Sequence, residues 1–472
     1  MTTNPQPIWR NSAREIARLV REGEVTALEV VESHLARIAD VNPRLGALTV
    51  VFADRARELA AQLDRRIADG EELGDLAGVP ISVKENIDLT WSPTTEGWTF
   101  LADALPSEDA TIVRRLLEAD AIPIGRGNMP ETGLRWDTDN ELFGRTYNPW
   151  DRTRVPGGSS GGDAVAVATG MVALGLGNDY GGSLRLPAYA AGVTALRPSA
   201  GRVPAAGPVQ PSPLTEQFFS VNGPIARHVD DLDMAFSLMH GADGLDPATA
   251  SIPHPHGYDG IRKVALTRDP LGWGVDPEVA QALTIAADAL SDAGWDVDEV
   301  EPPMIEDAAV LWRQLSVTEL VGLFQPGARP APLGAGAMQY FLDNADETAV
   351  FGSVGDYADA WGRRLVIAAA WEQFQSEHPI VLGPVSTRRM PLIGYDLSGP
   401  TATTQLWRDH RLLVTVNFLG LPSVAVPTGL DADGIPSGVQ LIAPRNGDHI
   451  ALAAARDVEA AVEAVTPISQ LA

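Results

Sequence analysis

The chain has 472 residues, 45% of them hydrophobic and 21% charged, the balance of a globular protein. A formal net charge of −27 argues against a nucleic-acid binder, which needs clustered Lys and Arg against phosphates, and against docking on anionic membranes. There is no cysteine, so disulfides, thiolate metal sites and a cysteine nucleophile are excluded.

The N-terminal segment has no apolar core followed by a cleavage site, which predicts a cytoplasmic protein. Residues 1–80 read as a helical region at a sheet edge. Ser12 with Glu15, and Thr26 with Glu29, have capping-box spacing. Apolar residues then recur at helical intervals through Ile16, Leu19 and Val20, and again from Val30 to Ile38. Leu45–Phe52 predicts a strand and Ala53–Ile67 a helix. Val79–Val83 predicts a short buried strand with Lys84 at its end. Ala110–Ala119 reads as a helix and Ile122–Gly127 as a strand. Asp163 is placed to cap a helix over Ala164–Gly170, ahead of a central strand at Val172–Gly177. The uncharged run Ala164–Gly177 is too short to span a membrane.

Gly241–Asp259 reads as a loop. After it come an apolar run (Val264–Leu266), a helix (Pro277–Gly294) and a strand (Trp295–Val300). Residues 301–375 read as mainly helical, interrupted by the Gly/Pro-rich segment Val321–Ala337, a surface loop or a lid. Ile380–Leu382, Val424–Val426 and Gly438–Ala443 return to strand character, and Asp448 is placed to cap a last helix. The alternation predicts an α/β fold, a central mixed twisted sheet with helices on both faces. We expect one continuous domain over 1–472: an N-terminal helical region at 1–80, a core at 81–230, a helical insert at 300–375 and a return to the sheet at 376–472.

The most informative stretch is VPGGSSGGDAVAVATGMVALGLGNDYGGSLRLP, Val155 to Pro187. Ser159 and Ser183 each stand against paired glycines. Glycine pairs let successive backbone N–H groups turn into one concavity, and a serine at its lip has oxyanion donors beside it. That is an arrangement for acyl transfer. The chain carries two lysines, Lys84 and Lys263, among 35 basic residues. Unlike Arg, a buried Lys loses its proton and serves as a base. Lys263 reads as a strand-edge lysine. Lys84, in GVPISVKENID, is either such a base or a strand-end ion-pair partner of Glu85 or Asp88.

GGSSGG at 157–162 followed by DYGGSLRLP at 179–187 resembles the signature of the amidase signature family. The lysine segment GVPISVKENID, GNMPE at 127–131, NELFGRTYNPWD at 140–151, RPSAGRVP at 197–204, GPIARHVDD at 223–231, NFLGLPSVAVPTG at 417–429 and GIPSGVQLIAP at 434–444 extend the likeness over most of the chain, residues 300–375 excepted. The resemblance implies a Ser–Ser–Lys triad: Ser183 as acyl nucleophile, Ser159 as the bridging serine after a cis Gly158–Ser159 peptide, and Lys84 as base. It implies an oxyanion hole from the backbone of Tyr180, Gly181, Gly182 and Ser183, with neither metal nor cofactor. Asp179 and Arg185 resemble a supporting ion pair, and Ser160 a loop hydrogen-bonder. Two positions depart from the family pattern: Asn178 stands where Thr is usual, and Tyr180 where a smaller residue is frequent. Met129, Gly133 and Trp136 are expected on the acyl side of the pocket, Gly133 leaving room for a bulky group.

The expected function is a free-standing amidohydrolase acting on a small apolar or aromatic amide, with ester and carbamate (urethane) hydrolysis by the same chemistry. The competing reading is the A subunit of a glutamine-dependent tRNA amidotransferase, which the −27 charge counts against. A glycine-cradle phosphate binder lacks the Gly-Lys-Ser/Thr of a P-loop. An inactive scaffold sits poorly with a complete triad. The expected partner is a small-molecule amide, ester or carbamate, with no nucleic acid and no membrane; monomer and homodimer both stay open.

Overall fold

In a computed structural model of the chain, which describes residues 6–205, 207, 211–323, 331–469 and 471, the first helices start where their caps stand. Ser12 accepts the Glu15 N–H at the head of Ala13–Arg21. Thr26 and Glu29 form the full reciprocal box that opens Ala27–Leu45. Both caps satisfy N–H groups that a helix start leaves without partners.

Among the described residues thirteen strands follow the chain: β1 (Leu48–Val51), β2 (Pro80–Lys84), β3 (Ile122–Gly127), β4 (Asp139–Asn140), β5 (Gly144–Arg145), β6 (Leu174–Asn178), β7 (Thr194–Arg197), β8 (Asn222–Ala226), β9 (Lys263–Leu266), β10 (Asp296–Glu299), β11 (Ile380–Pro384), β12 (Ser423–Leu430) and β13 (Pro436–Ile442). β4 and β5 pair with each other. The other eleven form one sheet in the order β1-β3-β2-β6-β8-β7-β12-β13-β11-β9-β10. The sheet is mixed, as expected: β3, β2 and β6 run parallel, as do β11, β9 and β10, and antiparallel pairs join the two groups. β1, within the strand expected over Leu45–Phe52, closes one edge.

β2 and β3 are buried along their whole length, as parallel strands covered on both faces must be. In the β2–β6 register Val83 faces Leu176, so Lys84 and Asn178 finish neighbouring strands at the same end. In open α/β sheets the crevice beyond such carboxyl ends is where ligands bind.

Two expected caps are corrected. The helix Gly161–Ala168 begins after Ser160, and the Asp163 carboxylate turns inward to accept the Ser82 hydroxyl at 2.6 Å. The helix Asp448–Ala460 begins after Gly447, and Asp448 accepts from the Ser199 N–H and hydroxyl. Residues 301–375 are mainly helical, in Ile305–Leu323, Ala335–Asp346 and Val354–Glu377. The loop-or-lid reading of Val321–Ala337 meets helix at both ends, and 324–330 lie outside the described residues. Among the described residues no helix is long and apolar enough to cross a membrane.

Candidate active site

Lys84 ends β2 with none of its surface exposed. Its Nζ lies 2.7 Å from Ser159 Oγ and 2.6 Å from Asn178 Oδ1. No carboxylate stands within ion-pair distance among the described residues, so neither Glu85 nor Asp88 partners it. Glu85 instead accepts from the Thr49 and Thr95 hydroxyls. Burial drives the Lys84 pKa down from the ordinary 10.5 towards neutrality, against the opposing pull of Asp163 and Asp179. Asp163, also fully buried, moves the other way: burial raises its carboxyl well above the usual range.

Ser159 follows a cis Gly158–Ser159 peptide, the geometry the resemblance implied. Ser159 and Ser183 are both buried and line one cavity of about 380 Å³. No hydrogen bond joins their hydroxyls. The two loops are held together by the Ser160 N–H, which donates to the Ser183 carbonyl (3.2 Å), while the Ser160 hydroxyl donates to the Asn178 carbonyl (3.3 Å).

Asp179 shapes the loop that carries Ser183. Its carboxylate accepts the Gly182 N–H (2.7 Å), the Leu184 N–H (3.2 Å), the Arg185 fork (3.0 and 3.1 Å) and Asn417 Nδ2 (2.7 Å). Burial alone would raise its pKa. The Arg185 and Arg197 guanidiniums and the Asn417 amide outweigh burial and hold the carboxyl well below the usual range. The Gly182 N–H is therefore occupied by Asp179, whereas the sequence reading grouped it with the oxyanion donors. The N–H groups of Tyr180, Gly181 and Ser183 make no intramolecular hydrogen bond among the described residues.

Two glycines of the Ser183 loop are packed too closely to take a Cβ without moving a neighbour. A Cβ on Gly181 would sit 2.6 Å from the Trp312 ring. Gly182 has φ +98°, and its Cβ would meet Leu413 at 2.2 Å.

The cavity wall is aromatic. Trp136 Nε1 donates to the Gly181 carbonyl (2.8 Å), and its ring stacks on Trp312 with centroids 6.3 Å apart. Tyr180 donates its hydroxyl to Ser316 Oγ (2.7 Å) and lies 5.8 Å from Trp312. Burial pushes His410 down to about 3, so it packs against Trp136 as a neutral ring. Gly133 lines the cavity with φ +73°, 3.5 Å from Ser159 Oγ to the point a Cβ would occupy. Met129, expected at the pocket, is buried beside Gly133 and is not among the residues that line the cavity.

Sequence reasoning missed two kinds of residue. Asn178 was visible only as a departure; its contact with Lys84 follows from the strand register. Trp312, Ser316, Glu319 and Tyr340 reach the cavity from 300–375, the stretch with no motif to align.

A family model for amidases matches residues 29–452. The chain is 38% identical to the indoleacetamide hydrolase of Bradyrhizobium diazoefficiens, with 96% of this chain and 87% of that protein covered. It is 34% identical to the A subunit of the glutamyl-tRNA(Gln) amidotransferase of Lacticaseibacillus paracasei, with 97% of each covered. The crystal structure of a bacterial aryl acylamidase of the amidase signature family superposes with a TM-score of 0.83 at 28% identity, covering 98% of both chains. The chain belongs to the amidase family, and hydrolysis of an amide carbon–nitrogen bond is the class of reaction this membership supports.

Proposed function

We propose that this protein is a free-standing amidohydrolase that cleaves an apolar or aromatic amide through an acyl-enzyme on Ser183. The observation that carries the reading is Lys84: fully buried, without a carboxylate partner among the described residues, 2.7 Å from Ser159 Oγ at the cavity that Ser183 lines. As a neutral amine it accepts the Ser159 proton while Ser159 accepts that of Ser183. Ser183 Oγ then attacks the carbonyl. Substrate binding has to bring the two hydroxyls into hydrogen-bond contact, since catalytic hydrogen bonds often tighten only in the complex.

The N–H groups of Tyr180, Gly181 and Ser183 are the free donors for the oxyanion, each worth about 3 kcal/mol of transition-state stabilisation. On collapse the proton returns from Lys84 through Ser159 to the leaving amine. Water then hydrolyses the ester by the same relay. Esters and aryl carbamates pass through the same intermediate types, so we include them as substrates. The aromatic wall of Trp136, Tyr180 and Trp312 supports a flat, apolar substrate body.

The test is hydrolysis of a panel of aryl and alkyl amides, esters and aryl carbamates by the purified chain and by Ser183→Ala. Turnover by the single chain, lost in the variant, supports the reading. Inertness on the whole panel, with glutamine hydrolysis arising only beside partner subunits, favours the amidotransferase reading that the 34% relative keeps in view.

A further inference from the structure

The buried arginines of this chain are matched by acceptors. Arg135 meets Asp137 and Asp396, Arg185 meets Asp179, and Arg411 meets Asp269. Arg126 and Arg227 have no carboxylate, but each donates to backbone carbonyls of three residues. Arg313 has neither.

Arg313 is 7% exposed and lines the cavity that holds Ser159 and Ser183. Its hydrogen bonding among the described residues is one contact, Nη2 to the Thr404 hydroxyl at 3.0 Å. Its Nε is buried without an acceptor. The guanidinium lies over the Trp407 ring, 5.3 Å from the centroid. The cavity does hold carboxylates, but none lies within ion-pair distance. Glu319 is six residues further along the same helix, about 9 Å of rise, and its oxygens are taken by the Thr215 N–H and hydroxyl and by Tyr357. Glu216 and Glu96 also line the cavity, and neither forms an ion pair with Arg313; Glu216 bonds to Ser220, and burial raises its carboxyl. The exposed Glu347 acts on Arg313 only through space, beyond ion-pair distance. Residues 324–330, which follow this helix, contain no Asp or Glu.

A guanidinium stays protonated at any working pH. Burying it unpaired is costly, and a planar carboxylate is the group its fork matches. We propose that Arg313 binds a carboxylate carried by the substrate on a portion remote from the scissile carbonyl. The preferred substrates are then amides with a second, acidic end: half-amides of dicarboxylic acids, or anilides with a ring carboxylate. The proposal rests on reading the cavity as the amide-hydrolysing site.

The experiment compares matched pairs, acetanilide with 4-acetamidobenzoate and butyramide with succinamate, on wild type, Arg313→Gln and Arg313→Lys. Wild type should favour the acidic member of at least one pair. Arg313→Gln should lose about tenfold or more on that member, chiefly in KM, the size expected for one charged hydrogen bond. The neutral member should be nearly unaffected, and Arg313→Lys should recover some of the loss. An equal loss on both members, or wild-type preference for the neutral member of both pairs, overturns the proposal. A second measurement avoids turnover: calorimetric binding of 4-acetamidobenzoate and succinamate to Ser183→Ala and to the Ser183→Ala, Arg313→Gln double variant. Arg313-dependent binding without hydrolysis of any amide would sink the hydrolase reading and leave the Arg313 assignment standing. Hydrolysis without Arg313-dependent binding would do the reverse.

Discussion

Asn178 Oδ1 lies 2.6 Å from Lys84 Nζ, nearer than Ser159 Oγ at 2.7 Å, so the closest side-chain acceptor beside the buried lysine is a neutral amide. A carboxylate at that distance would favour the ammonium form; an amide orients the amine without holding its proton. Asn178→Asp should therefore raise the Lys84 pKa and abolish most activity near neutral pH, with partial recovery in alkaline buffer. A pH profile of kcat/KM checks this. An unshifted profile would mean that Asn178 only fills space.

The lysine also sets the wild-type pH dependence. Its folded pKa is depressed, so the base fraction, and with it kcat/KM, rises with pH along a limb well below 10.5. The same shift has a stability sign. Between the folded value and 10.5 the unfolded chain binds more protons at this site, so its contribution to stability grows as pH rises through that window. Asp163 acts oppositely: its folded pKa is raised, so its contribution is full below 3.8 and is lost as pH rises through the folded value. Asp163 also pulls Lys84 upward, so Asp163→Asn should move the kcat/KM limb to lower pH. A limb moving upward would contradict the assignment.

Gly181→Ala drives a methyl into Trp312, which stacks on Trp136 and donates to the Tyr180 carbonyl. The displaced loop should cost on the order of 10²-fold in kcat, since misplacements near 1 Å have such effects. Trp312→Leu should partly rescue it by opening the space. Steady-state kinetics of the single and double variants form the test.

Asp179→Asn leaves Arg185 and Arg197 buried beside a neutral group and weakens the anchor on the Gly182 N–H. Breaking one side of a buried pair costs about 3–5 kcal/mol. Thermal unfolding should show a large loss of stability together with loss of activity; a stability unchanged from wild type would contradict the ion-pair account.

Local signals carried much of the fold. The caps at Ser12 and Thr26 and the strand Ile122–Gly127 depend on neighbours close in sequence, and the structure places them where the pattern did. β7 and β8 were not legible: TALR and NGPIA are too short and too rich in Gly, Pro and Arg to show strand alternation. The adjoining helices Pro400–Asp409 and Arg411–Leu419 were missed for a related reason: buried residues crowd the second all round, which blurs its period. Asp163 and Asp448 looked like caps because an aspartate at the start of an apolar helical run reads as one; in the structure both lie in the first turn as buried acceptors. Only the fold brings Ser82 and Ser199 to them, 81 and 249 residues away. Lys84, Ser159 and Ser183 stood out because glycine pairs and lysine scarcity mark them locally. Arg313 stood out in nothing, since an arginine without a partner is defined by its surroundings.

The central claim is a covalent intermediate on Ser183. The most direct measurement is intact-protein and peptide mass spectrometry of the chain quenched during turnover of a p-nitrophenyl ester and an aryl amide of the same acid. The account predicts one acyl group per chain, mapped to Ser183, identical for both substrates, and absent in Ser183→Ala. Adduct on another residue, or undiminished turnover by Ser183→Ala, would contradict it.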